Sequence, residues 1–349
     1  MSIEVRLIKI ESNHMKRVKK FLFTAIMSLS IITIIAQPVK IIFDTDMESD
    51  VDDVGALGML HGLANNGDAE ILATIVCSLN PWSVPTTVAI NTFCDRPDIP
   101  VGAVKTLGVY RNSSYAKTIS EEFPQDIGLG EKAPDAIAVY RKVLSEQPDS
   151  SVVIVTVGYL TNLAYLLESN ADDISPLTGK ELVSKKVKHL VCMGGRYPLE
   201  QNIGRWGNFK PDPQSIQLVA KEWPTQIIFT GGGDFADEIQ TGKVTFDFPP
   251  ESNPISRAYS IFLKSWNRNW HHSADFIAVY VAVKGYDEFF HLNTVGYNHI
   301  FEDGTMVWRL QPNNPKHSYV SSFKDGVNPD DVAKVFDSFL ADPIRRKVK

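Results

Sequence analysis

The chain has 349 residues, of which 44% are hydrophobic and 22% charged, and its formal net charge is −6 at pH 7. This length and apolar content predict an ordinary folded chain with one large domain or two small ones. The acidic balance gives no reason to expect nucleic acid or an anionic membrane surface as a partner, so we expect no nucleic-acid partner.

Residues 1–36 are typical of a secretory signal peptide. Four basic residues at 16–20 precede an apolar run from Phe21 to Ala36. Met15 is an alternative start, because the residues before it are atypical of such a peptide. Cleavage after residue 36 would leave 37–349 as a periplasmic or secreted domain without stable membrane association. The apolar run is short for a spanning helix, and an uncleaved membrane anchor remains the alternative.

An acidic loop follows the first apolar run of this domain. The stretch IIFDTDMESDVDDVGA, residues 41–56, reads as a buried strand followed by six carboxylates within ten positions. Carboxylates this close raise one another's pKa unless a cation neutralises them. The loop therefore predicts a bound hard metal ion. Its acidic residues are Asp44, Asp46, Glu48, Asp50, Asp52 and Asp53.

Two known calcium or magnesium motifs match this loop poorly. An EF-hand loop that starts at Asp44 would need Gly at its sixth position and Glu at its twelfth, where the chain has Ser49 and Gly55. A haloacid-dehalogenase-type phosphatase also begins with Asp-x-Asp after a strand, and Asp44 would then be its nucleophile. Glu48 stands where that family has Thr or Val. We keep the phosphatase as the weaker alternative.

Strands and helices alternate along the rest of the chain. This alternation predicts an α/β fold, doubly wound, with a mainly parallel (mixed) sheet covered by helices on both faces and ligands beyond the carboxyl ends of the strands. A last group of strands and a helix follows residue 283. The predicted strands are 39–43, 70–77, 101–104, 151–157, 187–193, 226–230, 305–310 and 317–320, and the predicted helices are 53–64, 83–94, 134–146 and 330–340, with others starting near 161, 213 and 275.

Two stretches resemble motifs of the nucleoside hydrolase family. Residues 44–56 resemble its N-terminal signature Asp-x-Asp-Pro-Gly-x-Asp-Asp-x-x-Ala, with two extra residues and Met47-Glu48 in place of Pro-Gly. Residues 157–162 (VGYLTN) resemble its Thr-Gly-Pro-Leu-Thr-Asn motif. Thr161 also fits a helix N-cap.

Three further stretches resemble the same family in the same order. Residues 193–195 resemble its Met-Gly-Gly strand end, and residues 208–213 its Asn-x-x-x-Asp-Pro segment, in which Asp212 would cap the next helix. Residues 273–279 resemble its His-Asp-Pro-x-Ala-Val motif, with Ala274 in place of the His. The chain therefore resembles a divergent, exported branch of the inosine-uridine preferring nucleoside hydrolases.

The resemblance implies calcium-dependent hydrolysis of the N-glycosidic bond of ribonucleosides, giving free base and ribose. It implies a Ca²⁺ ion and a metal-activated water, with Asp46 as the general base. The implied metal ligands are Asp46, Asp53, the Val157 carbonyl and Asp275. The implied substrate contacts are Asp52 on the 2′-hydroxyl, Asn208 on the 3′ side, Asn202 on the 5′ side, Asn80 near the attacking water, Trp206 on the base and Asp275 on the sugar.

Departure of the base lacks its usual proton donor. Ala274 has no proton to give, so we expect His271 or His272 to take over as catalytic residue. Stacking of Trp206 or Trp270 on the base, or a different substrate, are the alternatives. A calcium-dependent ribose or nucleoside binding protein without hydrolysis is the main competing function, and the sequence is compatible with a homo-oligomer.

Overall fold

The computed structural model describes residues 37–198, 202–311 and 316–347. The predicted signal peptide, residues 1–36, lies outside the described residues, and its cleavage stays a prediction. The described residues from Pro38 onward form one unit by their contacts. None of the helices in the described ranges is both long and apolar enough to cross a membrane.

An eight-stranded sheet forms the centre of the fold, in the order β3-β2-β1-β4-β5-β6-β10-β7. Neighbouring strands are parallel except β10 and β7, which are antiparallel, and β8 and β9 form a separate antiparallel pair. The predicted doubly wound, mainly parallel sheet is confirmed. The strands are β1 Val39–Thr45, β2 Ala69–Val76, β3 Val101–Ala103, β4 Val152–Thr156, β5 Val187–Arg196, β6 Gln226–Gly232, β7 Phe290–Asn293, β8 Tyr297–Ile300, β9 Met306–Arg309 and β10 His317–Phe323.

Eleven α-helices are present in the described ranges. They are α1 Asp52–Asn65, α2 Ser83–Phe93, α3 Ala116–Glu122, α4 Ala136–Ser145, α5 Thr161–Glu168, α6 Gly179–Lys186, α7 Pro213–Glu222, α8 Asp234–Glu238, α9 Pro254–Lys264, α10 Ala274–Lys284 and α11 Pro329–Lys347.

The two faces of the sheet carry two separate apolar cores. In β1, Ile41 and Phe43 join one cluster with residues of α1, α9, α10 and α11, while Ile42 joins the other with residues of α4, α5 and α7. This division follows from the two-residue side-chain period of a strand. It explains why the central strands read as continuous apolar runs, since both of their faces are buried.

Glycines allow α1 to lie against its neighbours. A Cβ atom on Gly55 would come 2.2 Å from the Tyr259 hydroxyl, and one on Gly62 would come 2.0 Å from the Phe339 carbonyl oxygen. Both distances are far below van der Waals contact, so no larger residue fits. The close packing fixes the N-terminus of α1 at the carboxyl edge of the sheet, and the acidic loop with it.

Several elements differ from the sequence prediction. Helices α3, α6, α8 and α9 and strands β7 and β8 were not predicted. The N-cap prediction for Thr161 is wrong, because Leu160 is the cap residue and makes no side-chain cap, while Thr161 Oγ1 donates to Asp212 Oδ2 at 2.5 Å. The cap at Asp212 is confirmed, since its side chain accepts from the Ser215 amide at 3.2 Å.

Candidate active site

The acidic loop turns sharply between β1 and α1. Met47 has a φ of 49°, and its amide donates to Asp53 Oδ1 at 3.1 Å, while Thr45 Oγ1 donates to the same oxygen. Asp52 and Asp53 lie in the first turn of α1, where the positive end of the helix dipole favours negative charge. The turn thus directs several carboxylates to the carboxyl edge of the sheet.

The N-terminus of α10 meets this loop. The Asp275 amide donates to Asp52 Oδ2 at 2.9 Å, and both side chains are buried, with 1% exposure each. Oδ1 of Asp52 and Oδ1 of Asp275 have no hydrogen-bond partner among the described residues. Two buried carboxylate oxygens without donors are costly unless a cation or bound ligand satisfies them.

Burial and mutual repulsion raise the pKa of the clustered carboxylates. For Asp46 the largest cause is burial, followed by the charges of Asp53 and Glu48, and its pKa lies well above the usual range. Burial and the charge of Asp50 raise the pKa of Asp53 to about 7. Burial, followed by the charges of Asp52 and Asp53, also raises the pKa of Asp275. A cation among these groups would reverse the shifts, so the donor chemistry fits a hard metal ion.

The end of β4 approaches the same site. The Val157 amide donates to the Asp44 carbonyl at 2.8 Å. A Cβ atom on Gly158 would come 2.5 Å from the Asp46 amide nitrogen, so glycine permits this approach. The Val157 carbonyl accepts a bond from Asn208 Nδ2 at 2.5 Å. Asn208 thus contacts the carbonyl predicted to bind metal.

The predicted calcium ligands come near one another, but not in final coordination geometry. Asp275 lies close enough to feel the charges of Asp46 and Asp53. The oxygens of these three side chains are nevertheless not among the described groups whose ligand atoms all lie within 4.8 Å of one another. Binding one ion would require side-chain rotation, and this ligand set stays a prediction.

Asp44 supports the loop from below. It is fully buried, and its carboxylate accepts from Tyr140 Oη at 2.7 Å and from Asn162 Nδ2 at 3.2 Å. Burial raises its pKa to about 7, although both donors lower it. A carboxylate so enclosed has no free path to a substrate phosphate, which argues against the phosphatase alternative.

Glu48 makes a second buried network that the sequence did not predict. Its Oε1 accepts from Tyr159 Oη at 2.7 Å, and its Oε2 accepts from Ser78 Oγ and from the Arg111 amide at 3.2 Å. These contacts join the acidic loop to the residues after β2 and β4. Glu48 therefore fixes the loop, at the position where the family motif has Gly.

Three of the predicted substrate-binding residues form hydrogen bonds with the surrounding loops, namely Asn80, Asn202 and Trp206. Asn80 Oδ1 accepts from the Trp82 amide, and its Nδ2 donates to the Arg111 carbonyl, each at 3.0 Å. Asn202 Nδ2 donates to a backbone carbonyl, and Trp206 Nε1 donates to the Asn202 carbonyl at 2.9 Å. Their substrate contacts stay predictions.

A family model matches most of this chain. The model of the inosine-uridine preferring nucleoside hydrolases matches residues 41–325. The chain belongs to this family. The structure resembles a purine-preferring ribonucleoside hydrolase from Gardnerella vaginalis, with a TM-score of 0.65 and 15% identity over 87% of this chain and 98% of that one. It also resembles the Bacillus anthracis inosine-uridine preferring nucleoside hydrolase, with a TM-score of 0.62 and 16% identity over 87% and 99%.

A curated relative matches part of the sequence. The pyrimidine-specific ribonucleoside hydrolase RihA of Shewanella sp. (strain MR-4) is 29% identical over 182 residues, which are 44% of this chain and 51% of the relative. The match thus spans about half the length of that relative. Because the solved structures are less than 25% identical in sequence, their similarity shows the shared fold alone.

The structure places two histidines where this nucleoside hydrolase family member lacks its motif histidine. Ala274, the first residue of α10, is buried and has no proton to give. The His272 side chain is 32% exposed, with Nε2 3.9 Å from Asp52 Oδ2. His271 is buried, and its ring centroid is 4.0 Å from that of His272. Both imidazoles therefore lie beside the carboxylate cluster.

Proposed function

We propose that this protein hydrolyses the N-glycosidic bond of ribonucleosides to free base and ribose, in a reaction that depends on calcium. The observation that carries the proposal is the cluster of buried carboxylates, including Asp46, Asp52 and Asp275, at the carboxyl edge of the sheet in a chain of this family. So many buried acids with raised pKa are expected where a divalent ion and a polar substrate bind.

The proposed ion would be held by Asp46, Asp53, the Val157 carbonyl and Asp275. When bound, calcium would supply positive charge that polarises a water molecule and keeps the surrounding carboxylates ionised. Asp46 is the proposed general base, because it is buried within the cluster beside Asp53, with which its side chain forms a hydrogen bond. It accepts the proton of the attacking water as that water adds to the anomeric carbon.

The remaining carboxylate and the amides orient the sugar. Asp52 keeps Oδ1 free of protein donors among the described residues, which suits an acceptor for the 2′-hydroxyl. Asn208 is proposed to bind the 3′ side through the amide that here contacts Val157. Holding the ribose in one orientation lowers the entropic cost of reaching the transition state.

His272 is the proposed proton donor to the departing base. Its partial exposure leaves room for a base, whereas His271 is buried behind it and fixes its position. General acid help of this kind contributes about 10²–10⁴-fold. Trp206, half-buried with its ring 5.5 Å from the Arg196 guanidinium, is proposed to stack on the base.

A panel of ribonucleosides tests the proposal. Release of reducing sugar from inosine, adenosine, uridine and cytidine is measured with calcium and after removal of calcium by a chelator. The curated relative's name motivates the pyrimidine members of the panel. We expect ribose release that the chelator abolishes and added calcium restores. No release from any of the four, at saturating calcium, would contradict the proposal.

A binding protein without hydrolysis is the second candidate, and Ala274 favours it. This candidate predicts calcium-dependent binding of a nucleoside, measured by calorimetry, with no release of ribose.

We further propose that the mature domain is exported, since a signal-like segment precedes it. Cell fractionation and N-terminal sequencing of the mature protein would test export.

A further inference from the structure

Asp50, His271 and His272 form a mixed cluster at the edge of the acidic site. One ligand atom of each lies within 4.8 Å of the other two, and in the described part of the chain they are the single such group of three His, Cys, Asp or Glu side chains. Nε2 of His271 is 3.8 Å from Oδ2 of Asp50. Two nitrogen donors and one carboxylate thus point toward a common centre.

His271 is buried with an unsatisfied nitrogen. The residue is 5% exposed, and Nε2 has no hydrogen-bond partner within the described ranges. Its ring packs edge-on against Phe262, with centroids 5.2 Å apart, and its backbone exchanges two hydrogen bonds of 3.0 Å with Thr241. The surrounding structure therefore holds this nitrogen in place without supplying the partner that a buried polar atom requires.

The other two ligands are free to adjust. The side chains of Asp50 and His272 are 36% and 32% exposed. Asp52 Oδ2, 3.9 Å from His272 Nε2, adds a second negative group. The charges of Asp237 and Arg268 also act on His272, with opposite signs. Two carboxylates, Asp50 and Asp52, therefore flank the imidazoles.

We propose that Asp50, His271 and His272 bind one borderline divalent cation, such as Zn²⁺, separate from the calcium ligands. Imidazole nitrogen and carboxylate oxygen are preferred zinc ligands, whereas calcium takes oxygen ligands alone. Zinc bonds of about 2.0–2.1 Å in a tetrahedron put ligand atoms about 3.3 Å apart. The cluster is slightly wider than this, and small rotations of the two partly exposed side chains would close it.

Zinc at this cluster would also regulate the proposed reaction. A zinc ion on the His272 nitrogen occupies the lone pair that must carry the proton for the departing base. Zinc would therefore inhibit hydrolysis without displacing calcium. This consequence rests on the proposed function, while the binding site itself does not.

The test measures zinc binding directly. The full chain without a polyhistidine tag is freed of metal, saturated with calcium and titrated with Zn²⁺ by calorimetry. We expect one zinc per chain, with bound calcium retained by elemental analysis. His272→Gln should weaken zinc binding by about 100-fold or more, because losing a ligand costs at least as much as losing an outer partner of one. His291→Gln, at an exposed histidine in β7, is the matched control and should bind zinc as the wild type does.

Cobalt gives an independent readout of the same site. Co²⁺ bound to imidazoles at low coordination number gives visible absorption bands, which we expect in the wild type and in His291→Gln but not in His272→Gln. Asp50→Asn serves as a second variant, since the Asp50 side chain is partly exposed in its loop. Zinc that binds only by releasing calcium, or equal zinc affinity in His272→Gln and His291→Gln, would overturn the proposal. Both readouts are independent of turnover, so failure to hydrolyse nucleosides would leave this site standing.

Discussion

Asp275 and Asp52, 223 positions apart in sequence, are joined by a hydrogen bond of 2.9 Å from the backbone amide of the first to Oδ2 of the second. The bond ties the N-terminus of α10 to that of α1, and each residue keeps one buried oxygen without a partner in the described structure. The two helix starts therefore present acceptors to the same space. A site for a cation and a polyhydroxylated sugar would use both oxygens.

Replacing Asp46 by Asn should abolish most of the turnover while leaving the fold intact. The amide cannot accept the proton of the attacking water, so kcat for the best nucleoside should fall by about 10²–10⁴-fold. Removing one charge from the cluster should keep or raise the thermal stability of the metal-free protein. Ribose release and thermal unfolding measure the two effects. Hydrolysis at the wild-type rate would show that Asp46 is not the base.

Calcium should stabilise the protein, and Asp275→Ala should weaken this effect. A ligand at 100 times its dissociation constant adds about 2.7 kcal/mol to the free energy of unfolding. We expect thermal unfolding to shift upward with calcium in the wild type and less at the same calcium concentration in Asp275→Ala. Lys284→Ala, at the other end of α10, is the control. An equal shift in wild type and Asp275→Ala would remove Asp275 from the proposed ligand set.

Asp52→Asn should reduce discrimination between ribose and 2′-deoxyribose. If Asp52 accepts from the 2′-hydroxyl, the wild type should lose much more of its kcat/KM on a 2′-deoxynucleoside than the variant does. Asn retains an oxygen that can accept from the Asp275 amide, so the helix contact should persist. The ratio of kcat/KM for uridine and 2′-deoxyuridine measures the effect. The same ratio in both proteins would place the 2′-hydroxyl elsewhere.

The sheet and the acidic loop were predictable because their signals are local. Continuous apolar runs identify the buried central strands, and the density of carboxylates in residues 44–53 identifies the loop at the edge of β1. Helix α3 was predicted as loop, and it has only 7 residues, too few for a clear helical period. Its buried residues are covered by other elements of the fold, which its own sequence does not reveal.

The contacts of Glu48 and Asp50 were not predictable in the same way. Tyr159 and Ser78 bind Glu48 from 111 and 30 positions away, and no spacing in the sequence connects them. The Asp50 carboxylate lies 3.8 Å from the His271 ring nitrogen, although the two residues are more than two hundred positions apart in sequence. The contacts of Glu48 depend on the order of strands in the sheet, which brings the ends of β1, β2 and β4 together. The sequence shows that the loop is rich in acidic residues, but it does not show which residue each carboxylate contacts.

A buried histidine far from the cluster should make the protein sensitive to acid. His61 in α1 is fully buried, and burial lowers its pKa from 6.5 to about 3. Nε2 pairs with Asn91 Oδ1 at 2.9 Å, and Nδ1 lies 3.3 Å from an Arg96 guanidinium nitrogen. A second proton would therefore face a positive charge, so the folded protein keeps this ring neutral.

The sign of the pH effect follows from the lowered pKa of His61. Below pH 6.5 the His61 ring binds a second proton in the unfolded chain but not in the folded protein. The free energy of unfolding therefore falls as the pH falls toward about 3. Between pH 7.5 and pH 4.5 this contribution amounts to about 2–3 kcal/mol. His61→Gln should remove it. The variant is expected to start less stable at pH 7.5 but to lose less stability on acidification.

Urea unfolding at the two pH values, with calcium present, measures the difference for wild type, His61→Gln and His291→Gln. His291→Gln, at an exposed position of β7, is the control for replacing a histidine by glutamine, and it should keep the pH dependence of the wild type. Other buried groups titrate alike in all three proteins, so the comparison isolates His61. If His61→Gln loses as much stability between pH 7.5 and 4.5 as the other two, the His61 ring accepts its second proton in the folded protein and its contact with Arg96 does not oppose the charge.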